Sequence, residues 1–493
     1  MTTNYVRWPA RMNPTDALFW SMDRIPELRS TIGALVILEH PPSREAIRAE
    51  FLRQSDHLPR MRQRVVEVPF NLAPPEWIED DDFDLDYHVR YLAVPSPGGF
   101  EELLAEVSPL YATALDRDRP LWEAYVAEGL MDGRGALLLK MHHCLTDGVG
   151  GSQLFTELLG QRDPGVGRRP RREPHRSASA SALVWRALQD NAAETISSGE
   201  TLVRTVVAAA QRPLATLRQA LAAVRGFGRE LLVPRAASPL HGKRSLSRQL
   251  ATFEMSLREI DAVRNRFSAT NNDIVLTIVA GAMHRWHTGR GVDVHELRTL
   301  VPVSLRGPEE AQAGNRLALL AVSLPTGEPN PLRRLRAIQQ RVGRFKEDRR
   351  AALYPLLARL LIAMPSAVAE RLGRQQTNRT NFVCTNIPGP RNICYLAGAA
   401  IEKMYPYAPL VGDHPVAIAL YSYRETMCVG LDVDPLAMPD LPHFRDALQE
   451  SYAEVLNLGR QSAVGPRRRR GVSRRRPSRN VSSRLGPGSE ATG

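Results

Sequence analysis

Apolar and polar residues alternate in two distinct rhythms along this chain, and the switches between them mark its elements. "GALVILEH" (33–40) is a strand run, and "SREAIRAEFLRQ" (43–54) follows with helical spacing behind Ser43, a residue type that caps helix N-termini. "FDLDYHVRYLAV" (83–94) alternates as a strand does, whereas "FEELLAEVSPLYATAL" (100–115) carries apolar residues at helical spacing. "PLWEAYVAEGL", the turn "MDGRG" and "ALLLKMHH" predict a hairpin closed around an Asp-Gly pair, with His142 and His143 at the end of its second strand. "DGVGGSQLFTELLG" (147–160) then predicts a helix burying Leu154, Phe155, Leu158 and Leu159. The two histidines therefore sit at a strand-to-helix junction, where a helix N-terminus offers free N–H groups and partial positive charge.

A second mixed region follows. "NDIVLTIVAGAMHRWHTGRG" predicts a helix from about Asp273 to Thr288, with Ile274, Val275, Ile278, Val279, Ala282, Met283 and Trp286 on one face and Gly289 as its stop. Strands are predicted at 297–306, 317–325 and 381–390, an amphipathic helix at 331–346, a hairpin in "VAIALYSYR" and "TMCVGLDVD", and a closing helix at 440–459. Between the two regions lies "RDPGVGRRPRREPHRSASASA", a Pro/Arg/Ser-rich linker, then two helix-like stretches broken at Pro213. Leu214, Leu217, Leu221 and Val224 form an apolar stripe with Arg218 and Arg225 at its edge, which suits either packing on the protein or an interfacial helix with snorkelling arginines. The expected organisation is α/β throughout: a first domain at 1–165, a linker with amphipathic helices at 166–244, a second domain at 245–460 and a disordered tail at 461–493.

Charge changes the picture only at the end of the chain. Residues 466–493 hold nine arginines and one acid, Glu490, so +8 of the formal net charge of +12 belongs to this tail. It has almost nothing apolar to bury and is expected to be disordered. It suits anionic lipid headgroups or a solvated tail with no fixed role. Specific nucleic-acid binding is not expected, because no recognition motif accompanies the charge. Hydrophobic content of 43% supports a sizeable core. Cys144, Cys384, Cys394 and Cys428 form no CxxC pair, so reduced thiols and a cytoplasmic setting are expected. The first twenty residues hold no apolar signal region, and no run is long enough to span a bilayer.

The chemistry-bearing stretch is His142-His143-Cys144-Leu145-Thr146-Asp147-Gly148. A general base needs a lone pair within reach of the proton it removes and a suitable pKa, and His143 can supply both. Asp147 is expected to pin the turn by pairing with an arginine rather than to touch His143. No GxSxG nucleophile elbow accompanies the pair, which favours direct transfer between two bound substrates over a covalent acyl-enzyme. A metal site is the rival, since His, His and Asp are all ligand types, but adjacent strand residues point to opposite faces and no second cluster appears. A pair of inert buried histidines is the third reading.

These residues resemble the bacterial wax ester synthase/diacylglycerol acyltransferase family. The resemblance rests on HHxxxDG at 142–148, on Pro120-Leu121-Trp122 within "LDRDRPLWEAYV", and on "FDLDYHVR" (83–90), "NDIVL" (272–276), "PVSLR" (302–306), "GNR" (314–316), "TNIPGP" (385–390) and "SY" (422–423), in family order from about 12 to 458. It implies two chloramphenicol-acetyltransferase-like domains with an active-site channel between them. It implies acyl transfer from a long-chain acyl-CoA, a substrate rather than a cofactor, to diacylglycerol or a fatty alcohol, with His143 as proton acceptor and no metal. His142 would shape the site and Gly148 keep the channel clear. Asn272 and Asp273 would order the site from the second domain, although a helix cap explains them equally well. Pro120, Leu121 and Trp122 are expected mainly to pack the core. Peripheral contact with the inner membrane face or lipid inclusions is a further implication. The chain departs from the family after "SY", where Arg424 and Glu425 replace a small residue and glycine, a charge expected to narrow or polarise an acyl channel. Two alternatives stand beside it: transfer from a carrier-protein thioester, as in condensation domains that share HHxxxDG, and a non-catalytic lipid-droplet surface protein using the basic tail and the interfacial helix, against which the intact histidine motif argues.

Overall fold

The computed structural model describes residues 8–146, 179–189, 237–241, 244–304, 317–347 and 377–460. Its first six-stranded sheet is built from β1 (Thr31–Leu38), β4 (Val89–Ala93), β5 (Trp122–Glu128), β6 (Gly135–His142), β11 (Tyr395–Leu396) and β12 (Ala399–Tyr407), in the order β11-β12-β1-β6-β5-β4, while β2 (Gln63–Val66) and β3 (Glu76–Glu79) form a separate antiparallel pair. β1 runs antiparallel to both β6 and β12, and β5 to β6, while β4 and β5 are parallel. The predicted hairpin is β5 and β6, with Gly133 supplying the positive φ of its turn.

Alternation along these strands feeds two cores. Val36, Leu38, Trp122, Leu137 and Leu139 face α2 (Arg44–His57), which contributes Ile47 and Phe51. Leu35, Ile37, Tyr125 and Leu138 face α4 (Phe100–Ala112), which contributes Leu103, Leu104, Val107 and Tyr111. Ser43 caps α2 as expected, accepting from the Ala46 amide at 3.2 Å. The stretch 83–94 forms the expected strand only in its second half. Asp84 accepts from the Asp86 amide and opens a single turn, α3 (Leu85–His88), before β4 begins. A short polar side chain that can bond its own backbone competes with extended structure there.

The second sheet has the order β7-β14-β13-β10-β8-β9 and holds β7 (Gln249–Ser256), β8 (Leu297–Ser304), β9 (Leu317–Leu324), β10 (Phe382–Ile387), β13 (Val416–Tyr423) and β14 (Thr426–Val433). Behind it lie α5 (Leu257–Phe267), α6 (Asn271–Thr288), α7 (Pro331–Glu347) and α8 (Leu441–Arg460). The apolar face expected on α6 is buried, and Leu276, Thr277, Ala280 and Gly281 are buried as well. The helix is buried over most of its surface because α7 and α8 pack on it as well. Gly281 makes that possible: a Cβ there would lie 2.2 Å from Arg334 Nη1 and from Ser451 Oγ.

The two sheets exchange chain. Strands β11 and β12 join the first sheet although they fall within 245–460. Tyr421 and Tyr423 of β13 enter the core shared with α2, and Leu250 and Cys428 enter the core shared with α4. The sheets approach closely at Gly430, where a Cβ would lie 1.8 Å from the Pro406 carbonyl oxygen. All four cysteines are buried and none is in a disulfide. Among the described residues no helix is long and apolar enough to cross a membrane. The linker's Leu214, Leu217, Leu221 and Val224 stripe, the predicted helix at 147–160 and the Arg-rich tail lie outside the described residues.

Candidate active site

Backbone pairing delivers the two histidines. His142 is the last residue of β6, opposite Thr31 of β1. Its N–H donates to the Leu121 carbonyl at 2.9 Å, so the Pro120-Leu121-Trp122 element holds the strand end from one side. The next N–H, that of His143, donates to the Ser30 carbonyl at 2.9 Å on the other side. This alternation is the strand's own geometry continued by one residue. The chain then tightens into a 3-10 turn, His143–Thr146.

The two rings meet different surroundings. His142 is 1% exposed. Its Nδ1 accepts from the Cys144 amide at 3.2 Å and lies 2.9 Å from Cys144 Sγ. With Nδ1 engaged as an acceptor, the ring proton is on Nε2, which faces Asp23 Oδ1 at 3.3 Å. Asp23 follows α1 (Pro14–Met22) directly as its C-cap. The same oxygen accepts from the Ser30 amide at 3.1 Å, and Arg117 Nη1 lies 3.6 Å from Oδ2. Burial pushes the Asp23 carboxyl up, but the His142 ring, the Ser30 amide and Arg117 together hold it below its usual value. Arg117 in turn sits over the Trp20 ring at 3.5 Å, and Trp20 Nε1 donates to Glu67 at 3.0 Å.

His143 packs against Phe19, ring centroids 4.6 Å apart. Burial above all, and then the neighbouring His142, lower its pKa to about 4, against an opposing interaction with its own main-chain carbonyl. At neutral pH the ring is uncharged and basic at one nitrogen, as proton abstraction requires.

The other expected residues fall into place unevenly. Leu121 and Trp122 are each 1% exposed. The Trp122 indole lies between Phe51 and His88, with centroids at 5.6 and 4.6 Å, and its Nε1 donates to the Met61 carbonyl at 2.8 Å. That is core packing, coupled to the site through the Leu121 carbonyl and through the pairing of Trp122 with Met141, the residue before His142. Asp273 completes a capping box with Thr270, and Asn272 lies in the first turn of α6. Among the described residues no hydrogen bond joins Asn272 or Asp273 to either histidine. Asp147 and Gly148 lie outside the described residues, as does the arginine-pairing expected of Asp147. Arg424 and Glu425 are exposed at the β13–β14 turn, Arg424 with φ 55°. Among the described residues no group of three or more His, Cys, Asp or Glu side chains could hold a metal ion.

Comparison with known proteins now bears on this geometry. Residues 12–275 match the wax ester synthase/diacylglycerol acyltransferase catalytic domain, and residues 313–455 match the C-terminal domain of the same family. The chain belongs to this family. It is 30% identical over 447 residues to a probable diacylglycerol O-acyltransferase of Mycobacterium tuberculosis, covering 89% of this chain and 93% of that protein. It is also 30% identical over 474 residues to a putative diacylglycerol O-acyltransferase of Mycobacterium bovis, covering 92% and 99%. Among solved structures, the wax ester synthase/diacylglycerol acyltransferase of Marinobacter aquaeolei superposes with a TM-score of 0.59 at 26% identity, over 91% of this chain and 99% of that one. The first condensation domain of the calcium-dependent antibiotic synthetase shares the fold, with a TM-score of 0.57 at 15% identity over 92% and 97%. As a wax ester synthase/diacylglycerol acyltransferase family member the chain is an acyltransferase, and its two-sheet α/β architecture is the one expected from the sequence. Sequence reasoning missed Asp23, Ser30 and Arg117. A lone aspartate after a helix and an arginine before the PLW element carry no local pattern that distinguishes them.

Proposed function

We propose that this acyltransferase moves a long-chain acyl group from acyl-CoA to the hydroxyl of diacylglycerol, with a fatty alcohol as a second acceptor, and that His143 is the general base. The observation that carries the reading is the contrast between the two rings: His142 is turned into the fold, its Nδ1 accepting from the Cys144 amide and its Nε2 facing Asp23 Oδ1 at 3.3 Å, while His143 is held uncharged beside it. His143 takes the hydroxyl proton as the acceptor oxygen attacks the thioester carbonyl. The tetrahedral oxyanion that forms needs hydrogen-bond donors. Its collapse breaks the C–S bond, and coenzyme A leaves as a thiol after receiving the proton. Every step is direct transfer and needs neither cofactor nor metal. Family matches over both halves of the chain favour this reading over a carrier-linked donor or a non-catalytic lipid-droplet protein.

The acceptor is tested by competition. Purified protein is supplied with palmitoyl-CoA and equal diolein and hexadecanol in mixed micelles, and the lipid products are resolved. Triacylglycerol as the main product supports the proposal. Wax ester alone overturns the acceptor assignment.

Peripheral contact with the inner membrane face or lipid inclusions fits two features. One is the charge of the Arg-rich tail. The other is the exposure of Phe70 and Trp185, 90% and 62%, on segments sharing a small core of Val68, Ile78, Leu183 and Ala187.

A further inference from the structure

The loop from α1 to β1 lies under both histidines. We propose that Asp23 is a positioning residue for the pair, setting the ring of His142 and the backbone of His143 from one carboxylate. The proposal rests on His143 being the base.

Three links make the arrangement. Asp23 Oδ1 faces His142 Nε2 at 3.3 Å and accepts from the Ser30 amide at 3.1 Å. The Ser30 carbonyl accepts from the His143 amide at 2.9 Å. One oxygen therefore reaches the first histidine through its ring and the second through its backbone. The Cys144 amide already occupies His142 Nδ1, so the tautomer with its proton on Nε2 is the only neutral form that satisfies both ring nitrogens. Asp23 Oδ1, 3.3 Å from Nε2, is placed to serve as the acceptor for that tautomer. Its side chain is 11% exposed, and Arg117 beside Oδ2 favours its ionised form.

The loop is also anchored from the other half of the chain. The Glu27 carbonyl accepts from Arg244 Nη2 at 3.0 Å and from the Gly412 amide at 3.0 Å. Arg244 Nη1 donates to the Leu410 carbonyl at 2.6 Å. Asp23 thus receives its position from both halves and passes it to the histidines. A base displaced by a fraction of an ångström loses much of its advantage, because the reacting atoms must already be close and aligned.

The test compares Asp23→Ala and Asp23→Asn with wild type by thiol release from palmitoyl-CoA with diolein, alongside thermal melting and ¹⁵N spectra of the histidine rings. Asp23→Ala is expected to lower kcat by about 10- to 100-fold with the KM for acyl-CoA within about twofold. Its spectrum should replace a single Nε2–H form of His142 with a mixture of tautomers. Asp23→Asn keeps an oxygen acceptor for both N–H groups and should recover the single tautomer and part of the lost kcat. Wild-type kcat in folded Asp23→Ala would overturn the proposal. So would a loss in Asp23→Asn as large as in Asp23→Ala with His142 unchanged in both spectra, since the carboxylate would then serve stability alone. His143→Ala in the same assay separates the two readings. If it retains acceptor-dependent thiol release the base assignment fails, while the His142 spectra still decide what Asp23 does.

Discussion

A neutral imidazole is a useful base only over the pH range in which it stays neutral. Burial lowers the His143 pKa to about 4, so its proton-accepting form persists well below the range of an ordinary histidine. With His143 as the proposed base the sign follows: protonation removes it, so kcat/KM falls as pH drops through the folded-state value and is flat above it as far as this group is concerned. A kcat/KM profile in the free-enzyme limit should therefore stay level from pH 8 to about 5 and decline below that. A half-maximal point near 6.5 would mean that His143 is more solvated than its packing against Phe19 implies. Trp122 makes the opposite prediction. Its buried indole and its bond to the Met61 carbonyl are structural, so Trp122→Ala should cost about 3–5 kcal/mol of stability by denaturant unfolding. Trp122→Phe should cost less and leave turnover per folded molecule near wild type. Large loss of kcat in a fully folded Trp122→Phe would give the PLW element a role in the chemistry that its packing does not suggest.

Elements were legible in the sequence where the pattern is local. The β5–β6 hairpin declares itself by two apolar runs around Asp-Gly, and α6 by its spacing. Even so, its N-cap is Thr270 and not the Asn272-Asp273 pair that the family motif draws attention to. Loss of the capping box in Thr270→Ala should cost about 1 kcal/mol in unfolding free energy. Acyl transfer should be unchanged, since Asp273 is engaged with the Thr270 amide at 2.8 Å. A drop in kcat without a drop in stability would restore the motif to the active site. What stayed hidden is what depends on partners distant in sequence. Nothing local distinguishes Asp23 from any aspartate after a helix, since its meaning comes from His142 and Arg117. The stretch 83–94 is a strand only from Val89, for a local reason: an Asx-type bond at Asp84 outweighs alternation over a single turn.

At the scale of the whole molecule, the sequence suggests two α/β regions in succession, whereas the sheets are threaded through one another. Strand β12 could not be assigned to the first sheet from its own pattern, because apolar alternation records burial and not the identity of the neighbouring strand. The crossing at Gly430 holds the consequence. Gly430→Ala would push a methyl group into the Pro406 carbonyl, so it should destabilise the protein by about 1–3 kcal/mol. The change should loosen the contact between the sheets as well as β14 itself. Hydrogen exchange would then rise in both β12 and β14, while a rise confined to β14 would show that the sheets are held elsewhere. Truncation after Arg460 removes the basic tail and should leave turnover on micellar substrate intact while weakening binding to anionic vesicles at low salt. Equal vesicle binding with and without the tail would assign that contact to the folded part.

The most direct test of the account is acceptor-dependent thiol release from palmitoyl-CoA, measured on wild type beside His143→Ala with diolein as acceptor. Release in wild type should need the acceptor, yield an ester and no covalent acyl-protein, and fall by at least about 100-fold in a folded His143→Ala. Undiminished release in that variant, or an acyl group trapped on the protein, would contradict direct transfer with His143 as base.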